Sequence, residues 1–169
     1  MDVTQRAELT SSLSSLSQEI AAEIHARIGT DSAVRARAKQ LHTDEKVGED
    51  FDVWTDLLSR RAAVLWVLKT VYVRVLEDRG FLAPRRIVDA DGPRLFAKLA
   101  PNLGDTAYLS WVFRDLASPD GGLPELFSPQ PAEIAAPSDA LSQKLLDFWK
   151  KRDPDTGELL YRFTDIHFD

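Results

Sequence analysis

The side chains that could bind a metal are few in this sequence and stand far apart. The three histidines are His25, His42 and His167, and none has a second ligand one helical turn away. Zinc sites usually combine closely spaced His, Asp, Glu or Cys ligands, and the chain has no cysteine. We therefore expect ordinary surface histidines and no metal site.

Motifs for phosphate binding, nuclease chemistry and nucleophilic catalysis are also missing. The sequence has no Walker A motif and no dinucleotide-binding glycine pattern. Pro119-Asp120 and Pro154-Asp155 lack the lysine of a nuclease motif, and the serines lack a nucleophile-elbow context. Adjacent acids at Glu49-Asp50 and Glu77-Asp78 are more typical of solvated or capping groups than of an acid/base pair. We expect no catalytic residue in the chain.

Cationic side chains suggest a different role, which is contact with nucleic acid. Between Phe51 and Arg86 the seven Lys/Arg residues outnumber the four Asp/Glu residues. The candidates for contact with phosphates are Lys69, Arg74, Arg85 and Arg86. Lys69 lies in an apolar run, so the alternative for it is burial beside a partner. The alternative for Arg85-Arg86 is a solvated turn.

Aromatic side chains in the second half of the chain could stack on bases, as in proteins that bind single strands. They are Tyr108, Trp111, Phe113, Phe148, Trp149, Tyr161 and Phe163. They follow the spacing of apolar helix faces, however, and this spacing is more typical of a protein core.

Composition and charge limit the class of protein. The chain has 169 residues, 44% of them hydrophobic and 28% charged, which fits one domain with its own core. Its net charge of −6 disfavours a surface dominated by nucleic-acid contacts. We expect a cytoplasmic protein, because the chain has no cysteine and shows neither a signal-peptide pattern nor a membrane span.

The stretch from Trp54 to Gly80 has the longest helical pattern, and we expect the chain to pack around it. Its main predicted face has apolar residues at helical spacing: Trp54, Leu57, Leu58, Leu65, Leu68, Tyr72, Val75 and Leu76. Trp66, Val67 and Val73 lie on the opposite side. Because a helix that is apolar on both sides is usually buried, neighbouring helices should surround this one.

The end of this central helix carries its own signals. Gly80 is expected to adopt the left-handed conformation, with Phe81 packing back onto Leu76 as in a Schellman motif. Glu77 and Asp78 lie near the negative end of the helix dipole, which is unfavourable without cationic partners. The candidate partners are Arg74 one turn earlier, Arg61 farther back on the same helix, and Arg85 and Arg86 after it.

Other helical patterns flank the central one. Residues 4–28 are predicted to form an amphipathic helix with Gly29 as its C-cap, although serines weaken it. Its apolar stripe contains Leu9, Leu13, Leu16, Ile20, Ile24 and Ile28. Further helices are predicted over about 31–42, 94–100, 106–117 and 139–152, with a single turn at 125–127. Their candidate N-caps, together with those of the central helix, are Thr30 or Asp31, Asp50 or Asp52, Asp105 and Ser138.

The predicted fold is mostly α-helical, an irregular bundle around one long central helix. Residues 158–163 are expected to form a short strand or extended arm. The tail after it contains the apolar residues Ile166 and Phe168, so it is expected to resemble an unpaired edge strand that needs a partner. We treat 1–169 as one domain, with N-terminal helices in 1–50, a helical core in 51–152 and the arm in 153–169.

Four blocks of the sequence carry a resemblance to a known family. They are RRAAVLWVLKTVYVRVLEDRGFL (60–82), LFAKLAPNLGDTAYLSWVFRDLA (95–117), ELFSP (125–129) and DPDTGELLYRFTD (153–165). In order and spacing they resemble the amino-terminal region of large adenine-specific DNA methyltransferases of bacterial phage defence. These are the PglX-like enzymes of BREX systems and the related methyltransferase of DISARM. The resemblance covers the chain from about Phe51 onward.

The resemblance implies an amino-terminal piece, or a split partner, of an enzyme that methylates adenine N6 with S-adenosylmethionine. The glycine-rich turn for that cofactor is missing here, as is the Asn/Asp-Pro-Pro-aromatic loop that holds a flipped adenine. No catalytic or cofactor-binding residue therefore carries over. The expected partners are the methyltransferase catalytic core, the DNA backbone and other defence-system subunits.

The alternative is a free-standing interaction or regulatory module that binds a methyltransferase or another defence subunit. The acidic balance of the chain suits protein partners better than DNA. An enzyme in its own right is disfavoured, because the chain lacks every catalytic motif considered above.

Overall fold

The computed structural model describes residues 1–164 and confirms the mostly α-helical fold. Within these residues there are seven helices and no strand. The helices are α1 Val3–Thr30, α2 Ser32–Asp44, α3 Phe51–Asp78, α4 Asp91–Leu99, α5 Asp105–Ala117, α6 Pro124–Phe127 and α7 Asp139–Trp149. None of them is long and apolar enough to cross a lipid bilayer.

Helix α3 is the predicted central helix, and it packs against α1, α2 and α6. It is also bonded to α7, because the Trp149 indole N–H donates to the Thr70 hydroxyl over 3.0 Å. Helix α1 is as long as α3, at 28 residues, and lies alongside it. The predicted stripe of α1 is largely buried, with Ile20 and Ile24 fully so.

Helix α3 is apolar on both sides, as predicted, but its main predicted face is only partly covered. Trp54 and Leu58 of that face are buried, whereas Leu57 and Leu68 are exposed. Trp66 and Val73 on the opposite side are buried. The buried side also carries small residues: Thr55, Ser59, Ala62, Ala63 and Thr70. Small side chains allow neighbouring helices to approach closely, so they favour the inner face although they add little hydrophobicity.

The N-terminal capping predictions are largely confirmed. The Asp31 carboxylate accepts hydrogen bonds from the backbone N–H groups of Ala33 and Val34, and Ser138 caps α7. Asp50 rather than Asp52 caps α3. Asp105 is not a cap but the first residue of α5, whose Thr106 N–H donates instead to the Asp139 carboxylate of α7 over 3.0 Å.

Helix ends differ from the predictions at three places. Gly29 is not a C-cap, because α1 continues through it to Thr30. Helix α4 starts at Asp91, before Pro93. Proline has no backbone N–H, but it is tolerated in the first turn because N–H groups there have no acceptor within the helix. Helix α7 ends at Trp149, three residues earlier than predicted. Gly80 does adopt the left-handed conformation, with φ of 77°.

The Schellman motif at Gly80 is confirmed in the backbone only. The Phe81 N–H donates to the Leu76 carbonyl over 2.9 Å. The Phe81 side chain, however, is 72% exposed, so any packing on Leu76 covers only a small part of it.

Residues after α7 form an arm that returns to α3. Arg152 and Leu159 form an isolated antiparallel bridge around a turn, and the rest of the arm up to residue 164 consists of turns, bends and irregular backbone, so the predicted strand does not form there. Tyr161 and Phe163 are buried against Phe148 and Trp149. The predicted edge at Ile166 and Phe168 lies outside the described residues, as does His167.

Candidate interaction surfaces

Lys69 is buried inside the protein, as its alternative interpretation predicted. Its ammonium lies 2.7 Å from one carboxylate oxygen of Glu133 and 3.0 Å from the other. It also lies 5.6 Å from the centre of the Phe113 ring. Because this cation is buried and paired, it is not available to a phosphate outside the protein.

Arg74 is fully buried, with none of its surface accessible to solvent. Its guanidinium donates to Glu77 over 2.9 Å and to Asp78 over 2.9 Å, which confirms the predicted Arg74–Asp78 pair. It also donates to the Tyr161 carbonyl over 3.2 Å and lies 5.9 Å from the Trp149 ring. Arg74 therefore makes its contacts inside the protein and cannot reach nucleic acid in this conformation.

The two acids of this cluster hold separate parts of the chain together. A Glu77 carboxylate oxygen accepts the backbone N–H groups of Arg86 and Ile87. The Asp78 carboxylate accepts the backbone N–H of Phe163 over 2.8 Å. We call Arg74, Glu77 and Asp78 the buried ionic cluster. It fastens the C-terminal end of α3 to the segment after it and to the arm.

Distant arginines do not neutralise these acids through their side chains, in contrast to the prediction. Arg61 pairs with Glu45 over 3.4 Å, Arg85 with Asp89 over 2.9 Å, and Arg86 with Asp115 over 3.8 Å. Backbone N–H donors replace them. Sequence reasoning missed these donors because every residue except proline has a backbone N–H, so the amino-acid sequence does not mark those that are used.

Arg85 and Arg86 remain the candidates for phosphate contacts. The Arg85 side chain is 39% exposed, and its hydrogen bond with Asp89 raises its pKa. The Arg86 side chain is 18% exposed and also donates to the Pro84 carbonyl. Both guanidinium groups carry acidic partners, so a phosphate would compete with a carboxylate for them.

The aromatic residues form core packing, as their helical spacing favoured. Six of the seven named in the sequence analysis are buried: Tyr108, Phe113, Phe148, Trp149, Tyr161 and Phe163. Trp111 is half-buried and packs beside Phe96 and Tyr108. Burial raises the pKa of Tyr108, whose hydroxyl donates to the Arg86 carbonyl. These rings stabilise the fold and do not form a platform for bases.

The two described histidines occupy different environments. His42 Nε2 lies 2.8 Å from the Glu49 carbonyl, and its ring contacts Phe51 and Trp54. His25 lines a groove beside α3. Across residues 1–164, no three His, Asp or Glu side chains are grouped as a metal ion would require.

The outward side of α3 is an exposed apolar surface. Its apolar residues remain open to solvent, with exposed fractions of 66% at Val53, 51% at Leu57, 44% at Val64 and 38% at Leu68. We call Leu57, Val64 and Leu68 the α3 ridge. Single exposed apolar residues are common, but several in succession on one helix face indicate an interaction surface.

A groove runs along each side of the α3 ridge. The first has a volume of about 670 Å³ and separates α3 from the segment around Leu126 and Pro131. The second has a volume of about 890 Å³ and separates α3 from α1. A ridge of side chains between two grooves has the shape on which other helices can pack.

Two of the serines that weakened the helix prediction for α1, Ser14 and Ser17, line the groove between α1 and α3. Small residues of α1 line it: Ser14, Ser17, Ala21 and Ala22. They keep the groove open and nearly neutral, while Asp56 and Arg60 stand on its α3 side and pair over 2.9 Å. The two opposite charges on this side of the ridge therefore balance each other.

No protein-family model, no curated protein and no solved structure matches this chain.

Proposed function

We propose that this chain is the amino-terminal helical scaffold of a phage-defence adenine-N6 DNA methyltransferase. The proposal combines the resemblance of four sequence blocks with one structural observation, the unpartnered α3 ridge. A scaffold needs an apolar surface of defined shape and no catalytic residues, and the ridge with its two grooves meets this requirement.

The scaffold docks on the methyltransferase catalytic core, either within one polypeptide or as a split chain. The core binds S-adenosylmethionine and the flipped adenine, and this chain supplies no ligand to either. Arg85 and Arg86 can add contacts to the DNA backbone, because their side chains are partly exposed. The complex works in the cytoplasm, where the host DNA is marked as self.

The experiment is co-purification of this chain with the adenine methyltransferase core from the same genome. We expect a one-to-one complex on size-exclusion chromatography that restores methylation of adenine. Val64→Asp should abolish the complex, because it places a charge at the centre of an apolar interface. Val3→Asp is the matched control, since Val3 is also exposed but lies at the start of α1.

Two results would contradict the proposal. One is a well-folded chain that does not bind the core. The other is a complex that Val64→Asp leaves intact, which would exclude the α3 ridge as the docking surface.

The second candidate function is a free-standing module that binds a methyltransferase or another defence subunit and regulates it. The net charge of −6 supports protein partners for such a module. Binding to the core without restored methylation would favour it. A methyltransferase core encoded in the adjacent reading frame would favour the scaffold instead.

A further inference from the structure

Helix α4 is attached to the protein by only part of its apolar face. Gly92 lies directly against the Tyr108 hydroxyl and close to the carbonyls of Arg85 and Arg86, where a side chain would not fit. One turn later, the Phe96 ring lies 5.5 Å from the Tyr108 ring and 5.8 Å from the Trp111 ring. These two positions define the inner side of α4.

The adjoining side of α4 is apolar and open to solvent. Leu95 and Leu99 are one helical turn apart and therefore share this side, with exposed fractions of 52% and 72%. Leu103, shortly after the helix, is 58% exposed. Two exposed leucines on one side of a helix, followed by a third shortly after its end, form an apolar surface that a partner can cover.

Cations border this leucine edge. Arg94 and Lys98 are also one turn apart, each directly preceding a leucine of the edge, and both are exposed. Residues 79–103 carry five Lys/Arg residues and two Asp/Glu residues, although the whole chain has a net charge of −6. Within α4 itself, Arg94 and Lys98 outnumber one acid, Asp91, which lies 4.0 Å from Arg94. The helix therefore carries an excess of positive charge beside the exposed leucines.

We propose that this α4 edge (Leu95, Leu99 and Leu103 with Arg94 and Lys98) binds an amphipathic helix of a protein partner whose apolar stripe is flanked by Asp and Glu. The leucines bury the stripe, and the cations pair with the acids and orient the helix. A DNA backbone would use the cations but leave the leucines in water. The combination of both favours an acidic protein segment.

The α4 edge is separate from the α3 ridge and does not depend on the methyltransferase proposal. The two surfaces share no residue: one belongs to α3, the other to α4 and the loop after it. Changes to one surface should therefore leave binding at the other intact, and the test can distinguish them.

The test uses two fluorescent helical peptides on the order of 15 residues long, a length at which isolated helices become stable. Both carry the same leucine stripe, flanked by Glu in one and by Lys in the other. Fluorescence anisotropy with the full chain should show the Glu peptide binding at least about tenfold more tightly than the Lys peptide, as charge complementarity requires.

Three variants locate the binding site. The double variant Leu95→Ser/Leu99→Ser should weaken the Glu peptide at least about tenfold, because the apolar contact is lost. Arg94→Glu/Lys98→Glu should reverse the preference between the two peptides. Val3→Ser at the start of α1 is the matched control, because Val3 is exposed and belongs to neither surface, and it should change neither affinity. Circular dichroism verifies that each variant is folded, as the exposure of these side chains predicts.

Three outcomes would overturn the proposal. The first is binding of neither peptide or of both equally. The second is binding of the Glu peptide that the leucine variant does not weaken. The third is a preference for a DNA duplex or anionic vesicles over the Glu peptide. If Arg94→Glu/Lys98→Glu abolished that binding and the leucine variant did not change it, the α4 edge would be a phosphate-binding surface.

Discussion

At the scale of single residues, the structure separates cations that hold the fold from cations that face outward. Lys69 and Arg74 have buried acidic partners, whereas Arg85 and Arg86 keep part of their guanidinium groups exposed. A buried charge without its partner is costly, so the ionic cluster around Arg74 is sensitive to the loss of any one member. This sensitivity leads to a prediction about stability.

Arg74→Ala should lower the free energy of unfolding by about 3–5 kcal/mol, because it leaves Glu77 and Asp78 buried without their cation. Urea denaturation followed by circular dichroism measures the change. Arg60→Ala is the control, since Arg60 forms an exposed pair with Asp56 and should cost less than about 1 kcal/mol. Equal effects of the two substitutions would refute the importance of the cluster.

At the scale of elements, the helices follow from local signals but their neighbours adjust the ends. Asp31 and Ser138 start α2 and α7 through side-chain caps, as their positions predicted. The start of α5 is different, because its Thr106 N–H is satisfied by Asp139 from another helix. Such a cap joins residues 33 positions apart in sequence, and local reasoning has no means to find it.

Two glycines should respond in opposite ways to alanine. Gly29 lies within α1 with open space around it, so Gly29→Ala should stabilise the protein by about 0.5–1 kcal/mol. At Gly121 a Cβ atom would lie 2.3 Å from the Asp115 carbonyl oxygen, so Gly121→Ala should destabilise the protein by at least about 1 kcal/mol.

Thermal unfolding of the two variants, each compared with the unchanged chain, tests this pair. A shift of the midpoint in the same direction for both would show that space around the backbone does not control these positions.

At the scale of the whole molecule, the arm after α7 belongs to the same packed unit as α3. Tyr161 and Phe163 complete the core beside Phe148 and Trp149, and Asp78 binds the Phe163 backbone. Two of the apolar surfaces that stay exposed within residues 1–164 are the α3 ridge and the α4 edge. They differ in charge, and the proposals above assign them to different partners.

Phe163→Ala should therefore destabilise the whole chain and not only the arm, by about 3–5 kcal/mol. Urea unfolding measured by tryptophan fluorescence and by far-ultraviolet circular dichroism should give one coincident transition at lower denaturant. Leu159→Ala, at a half-buried position of the same arm, should have a smaller effect. Two separate transitions would show that the arm unfolds independently.

The sequence by itself determined the helical class, the order of the helices and most of their caps, because these depend on local propensity, spacing and side-chain hydrogen bonds. It also indicated that Lys69 and the acids at the end of α3 need partners. Only the tertiary structure decided which face of α3 is buried. Both faces are apolar enough to be buried, and the smaller side chains at Ser59, Ala62 and Ala63 allow the closer approach. The partners of Lys69 and Glu77 likewise depend on which distant segments meet, because a long-range contact has no local signal in the sequence.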